Sequence, residues 1–186
     1  MRFSTLPVLE HPLIELRPLT EGDMADWAAY LNLPAVYEHT SWNAPSATDL
    51  LVHEGSHRSG EWDAPMRLAI ALRESGELVG TVGFHSVSSH NRSLELAFDL
   101  RPSHWGLGFA SAAARAVVQW AHHTAGFIRV QATALPSNHR SIRTLERLGF
   151  EREGLLRAYR MVRGVPGDFY VYSRVFDLEI TEGSRP

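Results

Sequence analysis

The sequence predicts an α/β fold: a mixed central sheet of about six to seven strands flanked by helices. Strand-like and helix-like runs alternate in the order β, two helices, three strands, helix, strand, helix, two strands. One stretch, Leu94 to Ala121, reads without interruption as a strand, a glycine turn and a long helix. The length of 186 residues, with 44% hydrophobic and 21% charged side chains, suits a single domain over residues 1–186 with a substantial core.

The elements follow in order. Leu13 to Arg17 (LIELR) alternates like an edge strand, and Pro18 ends it. Thr20-Glu21-Gly22-Asp23 opens a helix from about Asp23 to Asn32, with acids in its first turn as the helix dipole prefers, and Pro34 closes it. Residues 35–46 read as a loop bearing Tyr37, His39 and Trp42, and Ser46 caps a second helix running to about Arg58. Arg67 to Arg73 and Glu77 to Phe84 are apolar strands around a Ser75-Gly76 turn, and Ser86 to Arg92 is a polar loop. Leu94 to Leu100 is the central strand, stopped by Pro102. After Trp105-Gly106-Leu107-Gly108, the residues Phe109, Ala113, Ala116, Val117, Trp120 and Ala121 recur at helical spacing. Ile128 to Ala134 alternates as a strand, Asn138 to Leu148 is a helix ended by Gly149, and strands run from Phe150 to about Leu156 and from Asp168 to Leu178.

Composition removes several chemistries. There is no cysteine, so disulfides, thiolate metal sites and a cysteine nucleophile are excluded. Every one of the 18 basic residues is arginine, so no lysine Schiff base can form. No apolar run approaches membrane-spanning length, and the opening MRFSTLPVLEHPL lacks a signal peptide's apolar region, so a cytoplasmic protein without a membrane partner is expected. The net charge of −3 hides an asymmetry: residues 1–100 carry fourteen acids against six arginines, residues 101–186 seven against twelve. A basic half holding an anionic ligand and an acidic half receiving a cationic acceptor would fit that division.

The glycine turn is the strongest chemical signal. A turn feeding a helix N-terminus presents unpaired N–H groups at the positive end of the dipole, a ready phosphate site, and Gly106 and Gly108 let the backbone approach a ligand. A plain strand-to-helix turn is the bland alternative, whereas a dinucleotide fingerprint fails because the third glycine and the later acid are missing. Glu95 and Asp99 lie four apart on one strand and so on one face. They are either a base and an amine-attracting carboxylate lining a cleft, or a solvated pair. His122-His123 point about 100° apart on a helix, poor geometry for a shared metal, and no metal is expected. Between Arg140 and Arg163 stand seven arginines and three acids, which could meet a ribose phosphate or an RNA-bearing partner but read best as a solvated face, with no direct nucleic-acid contact expected. Trp27, Tyr30, Tyr37 and Trp42 read as core or as walls of an acceptor site.

The run Leu100-Arg101-Pro102…Trp105-Gly106-Leu107-Gly108-Phe109-Ala110 resembles the acetyl-CoA pyrophosphate loop of the GNAT acyltransferases, Arg/Gln-x-x-Gly-x-Gly/Ala. Asn138-His139-Arg140-Ser141 through Leu148-Gly149-Phe150 resembles their second cofactor motif. With Leu16-Arg17-Pro18-Leu19 and Glu153-Gly154, the chain is similar to the RimJ/RimL branch, named for N-terminal acetylation of ribosomal proteins, over roughly residues 13 to 178.

The resemblance implies an acetyl-CoA-dependent N-acetyltransferase acting on a protein N-terminus or small amine by direct attack in a ternary complex. It implies diphosphate binding by the main chain of Trp105, Gly106, Leu107, Gly108, Phe109, Ala110 and Ser111, and an acetyl oxygen held by the Leu100 amide. It further implies pantetheine contact by Asn138, which could equally cap its own helix, Glu95 as base, and Ser141 within reach of the sulfur as proton donor. The chain departs from the family in three places. Trp105 fills the Arg/Gln position, Ala112 stands where the branch usually has glutamate, and Leu145 stands where many members have a tyrosine acid. Ser141 or water must then protonate the thiolate. A homodimer is compatible with this reading, and the contrasting function is a degenerate acyl-CoA-binding or sensory module without turnover.

Overall fold

The computed structural model describes residues 5–41, 43–56 and 64–177. Its seven strands are β1 (Ile14–Pro18), β2 (Met66–Leu72), β3 (Leu78–Ser88), β4 (Ser93–Leu100), β5 (Arg129–Ala134), β6 (Glu151–Val162) and β7 (Val165–Val175). They form one mixed sheet in the order β1-β2-β3-β4-β5-β7-β6, in which only β4 and β5 run parallel. The parallel step requires a crossover, and α4 (Phe109–His123) supplies it.

Helices cover both faces. Ala113, Ala114, Val117 and Val118 of α4 pack in one cluster with Leu68, Ile70 and Val82, the small residues letting the helix approach the sheet closely. Ala69, pointing the other way on β2, packs in a second cluster with Trp27 and Leu31 of α1 (Met24–Leu31) and with Leu50 of α3 (Ala47–Leu50). Trp27 and Tyr30 are therefore core residues. Trp42 lies outside the described residues.

The structure corrects several boundaries. Residues 35–46 are not all loop: Leu33-Pro34 starts a one-turn helix, α2 (Pro34–Tyr37), since proline suits a first helical position. Ser46 does cap α3, through a reciprocal box with Asp49, but the helix is a single turn continued as a 3-10 turn to His53. The expected end near Arg58 lies outside the described residues. β3 extends through Ser88, so the polar loop shrinks to a turn at residues 89–92.

The largest miss is the β6–β7 hairpin, expected to leave residues 157–167 unpaired. Its strands are twelve and eleven residues long, joined by Arg163-Gly164 with φ of 51° and 80°. Positive φ at both central residues suits a two-residue hairpin turn, though Arg-Gly lacks the usual Asn or Asp signal. A bulge between Leu156 and Arg160, with Ala158 at φ 50°, also breaks the alternation that sequence reading relies on.

Candidate active site

β4 and β5 pair at only three positions, Ser93↔Arg129, Leu94↔Val130 and Glu95↔Gln131. Beyond Glu95 the strands part, and the wedge between them opens onto two cavities of about 340 and 380 Å³. His39, Thr40, Phe98, Asn138 and Ser141 line both. Arg101 N–H donates to Val79 O at 2.7 Å, toward β3. Main-chain groups alternate sides along a strand, so the amide of Leu100 points the opposite way, into the wedge. The Leu100 carbonyl, on that same side, accepts the Trp105 indole N–H at 2.8 Å.

The first cavity is floored by the glycine turn. Gly106 and Gly108 have φ of 83° and 81°, and Gly108 is the N-cap of α4. No side chain caps this end, and the first intrahelical bond runs from Ala112 N–H to Gly108 O at 3.0 Å. The amides of Phe109, Ala110 and Ser111 therefore have no partner within the helix. Trp105, Gly106, Gly108, Phe109, Ala110 and Ser111 line the cavity. Leu107 does not: its side chain is exposed at the loop tip, which leaves it only a main-chain part.

The opposite wall is α5 (His139–Arg147). Asn138 caps it, its Oδ1 accepting from Ser141 N–H at 3.1 Å while its Nδ2 donates to the His39 carbonyl at 2.9 Å. Asn138 is thus a cap and a tie to the α2 segment, with one amide hydrogen still to give. Arg140, Arg143, Thr144 and Arg147 form a stripe at i, i+3, i+4 and i+7 facing the cavity. The Arg140 guanidinium also lies 4.1 Å from the centre of the Trp105 ring. Arg140, Arg143 and Arg147 are all exposed, so this basic run is the solvated face expected of it and at the same time a wall of the cavity. Its helical periodicity was the signal that could have found the cavity.

The remaining arginines of that run divide by environment. Arg163 donates to the carbonyls of Tyr37 and Thr40 at 2.8 and 3.1 Å and lies over the Tyr37 ring, fastening the hairpin turn to the α2 segment. Arg152 stacks on Tyr170, and Arg157 is exposed. Arg160 crosses to Glu95.

Glu95 and Asp99 are not a solvated pair, because both are buried. Glu95 lines the second cavity. Its Oε1 accepts from Thr133 Oγ1 at 2.7 Å and Arg160 Nη2 at 3.1 Å, with His85 Nε2 at 3.8 Å. Among the described residues its Oε2 has only the long 3.5 Å contact from Gln131, so that oxygen is the one left to accept a proton. Asp99 is engaged by the Arg67 guanidinium and the Tyr30 hydroxyl, and by Thr81 Oγ1 at 2.8 Å. An amine-attracting role is therefore closed to it. Its network instead fastens α1 to β4 beside Leu100. Burial, then the Asp99 charge, hold the Tyr30 phenol well above its ordinary pKa, so it stays a donor.

Burial disfavours the charged form of two histidines of the second cavity. Burial, followed by the nearby Arg67 charge, lowers His53 to about 4, and burial lowers His85 against the opposing pull of Glu95. His122 serves the core edge, its ring stacking on Phe176 at 4.1 Å and its Nδ1 lying 3.0 Å from Phe127 O, while His123 is exposed. Among the described residues no group of three or more His, Cys, Asp or Glu is placed to hold a metal, and no helix is long and apolar enough to cross a membrane.

Residues 14–151 match the Acetyltransferase (GNAT) domain. Among curated proteins, the uncharacterized N-acetyltransferase YoaA of Bacillus subtilis (strain 168) is 38% identical over 110 residues, which cover 59% of this chain and 62% of that protein. The ribosomal-protein-serine acetyltransferase of Escherichia coli (strain K12) is 27% identical over 103 residues, 55% of this chain and 58% of that one. The matches thus span about three fifths of the curated relatives' length. Among solved structures, Mycobacterium smegmatis RimJ in complex with CoA-disulfide superposes with a TM-score of 0.76 at 23% identity, covering 91% of this chain and 88% of that one. The microcin C7 self immunity acetyltransferase MccE, solved with acetyl-CoA and AMP, gives 0.76 at 20% identity, covering 89% and 94%. These two likenesses speak to fold. The matched domain takes in β1 through β5 and both walls of the first cavity, and by it this chain belongs to the GNAT acetyltransferase family.

Proposed function

We propose that this protein transfers an acetyl group from acetyl-CoA to a primary amine by direct attack in a ternary complex. The observation that supports this reading best is the pair of cavities meeting at the β4–β5 wedge: one is lined by unpaired helix amides and arginines, the other by a buried carboxylate. The amides from Trp105 to Ser111 take the diphosphate, and the thioester lies in the wedge with its carbonyl oxygen on the Leu100 amide. Glu95 Oε2, directly or through water, removes the proton from the attacking ammonium. The amine nitrogen bonds to the acetyl carbon, the carbon–sulfur bond breaks, and the second proton shed by the nitrogen passes through Ser141 or water to the leaving thiolate. Asn138 orients α5 and offers its spare amide hydrogen to the pantetheine arm.

The test is free-thiol release from acetyl-CoA across a panel of amines. Release that rises with added amine is expected. Tight acetyl-CoA binding with no amine-dependent release would favour a sensory module instead. The arginine stripe adds a second expectation. Arg143→Ala and Arg147→Ala should each raise the KM for acetyl-CoA about three- to tenfold, with kcat little changed and a weaker dependence of KM on salt, as for a lost phosphate contact. An unchanged KM in both would leave these residues a solvated face only.

A further inference from the structure

The second cavity has walls whose charges are already matched. Arg67 is bonded to Asp99, Arg160 to Glu95, and burial disfavours a charge on His53 and His85. Among the described residues several acids of the N-terminal half are occupied elsewhere: Asp23 pairs with Arg17, Glu15 with Arg73, Glu77 with Arg101, and Asp49 closes the Ser46 box at the start of α3. Among the described residues Glu95 is the one carboxylate lining the cavity, and it is bonded to Arg160, so that lining forms no acidic receptacle for a cationic acceptor. A polyamine would bring further cations between two guanidinium groups, where screening by water is weakened.

Arg160 is built to do more than neutralise Glu95. Among the described residues, of its donor nitrogens only Nη2 is bonded, to Glu95 at 3.1 Å and Tyr159 at 3.5 Å, which leaves Nε and Nη1 for a ligand. Its side chain passes the rings of Tyr159 and Phe169 at 4.8 and 5.8 Å. The β6 bulge aims it there, and Asp168 Oδ1 pins that bulge by accepting the Ala158 N–H at 2.8 Å. When Glu95 takes a proton from the ammonium, the Arg160 charge loses its counterion. An anionic group on the acceptor, beside Arg160, would restore the balance at that moment.

We infer that the acceptor amine stands one or two carbons from a carboxylate, as in an α- or β-amino acid, and that Arg160 anchors this carboxylate. The inference rests on the proposed acetyl transfer and gives it a substrate class. Arg160 touches Glu95, so a carboxylate held on its free donors keeps the attached amine close to the base. Arginine suits the role because its planar fork matches a carboxylate.

The experiment compares matched amines with the wild-type protein and Arg160→Gln: alanine and β-alanine each with ethylamine, phenylalanine with phenethylamine, each amino acid with its amide, and spermidine alone. Thiol release gives kcat/KM, and calorimetric titration of the same compounds into the CoA-loaded protein gives affinity. At least one amino acid is expected to exceed its decarboxylated partner and its amide by about tenfold or more, a charge-assisted contact's worth. Arg160→Gln should reduce that ratio to near one, whatever it does to the absolute rate. Faster turnover of spermidine, of the amides or of the decarboxylated amines overturns the inference, as does a preference that survives Arg160→Gln. If no amine releases thiol, the acetyl-transfer reading fails. The anchor is then judged by the titration alone: Arg160-dependent binding of the amino acids upholds it, and no such binding overturns it.

Discussion

A Gly108→Val variant is expected to fold and to lose acetyl-CoA binding by about two orders of magnitude. A Cβ built on Gly108 meets nothing within 4 Å, so the substitution brings no clash. The difficulty lies in the backbone. Gly108 sits at φ 81° and ψ −2° as the N-cap of α4, a conformation that strains a β-branched residue by about 1–3 kcal/mol. Valine relieves the strain by rotating the peptide, and the amides of Phe109 and Ala110 then no longer converge on one anion. Part of the core face of α4, Ala113 to Ala121, lies beyond the first turn and keeps the helix in place. Gly108→Asn is the control, because asparagine tolerates the left-handed region, and it should retain binding within several-fold. Titration calorimetry with circular dichroism on both variants checks this. Wild-type affinity in the valine variant would remove the loop from the cofactor site.

Glu95→Gln is expected to lower kcat by about 100-fold, within the range of a lost general base, and to leave acetyl-CoA affinity unchanged. Affinity should hold because Glu95 lines the second cavity and not the first. The variant also leaves the Arg160 charge without its partner, and breaking a buried pair costs about 3–5 kcal/mol where both groups are desolvated. Arg160 is 31% exposed, so the penalty here is smaller. A purely structural Glu95 would show as a lower denaturation midpoint with wild-type kcat. The separating measurement is the pH profile of kcat: a base produces a rising limb that the glutamine variant loses. A profile of the same shape and height in both proteins would end the assignment.

Much of the frame was legible because it depends on neighbours in sequence. The glycine turn, the Ser46 cap and Asn138 at the start of α5 are decided within four residues, and the structure forms all three. The same local reading misjudged β6, where a bulge held by Asp168 hides the strand's period and an Arg-Gly turn carries no Asn or Asp. It also misjudged the charges. Asp99 looked available until Arg67, Thr81 and Tyr30, from three other elements, proved to hold it. Arg160 looked solvated until the hairpin brought it to Glu95, 65 residues away in the chain.

The sequence by itself determined most of the strands and helices, the left-handed glycine turn before α4, and that no cysteine or lysine takes part in the chemistry. Those are matters of residue type and spacing, fixed by sterics and periodicity over a few positions. Only the tertiary structure decided where β4 leaves β5, which carboxylate keeps an oxygen free, and which arginines face a cavity. Each of these depends on groups brought together from distant parts of the chain. A charge's role follows from its burial and its partners, and neither is written in the residue alone.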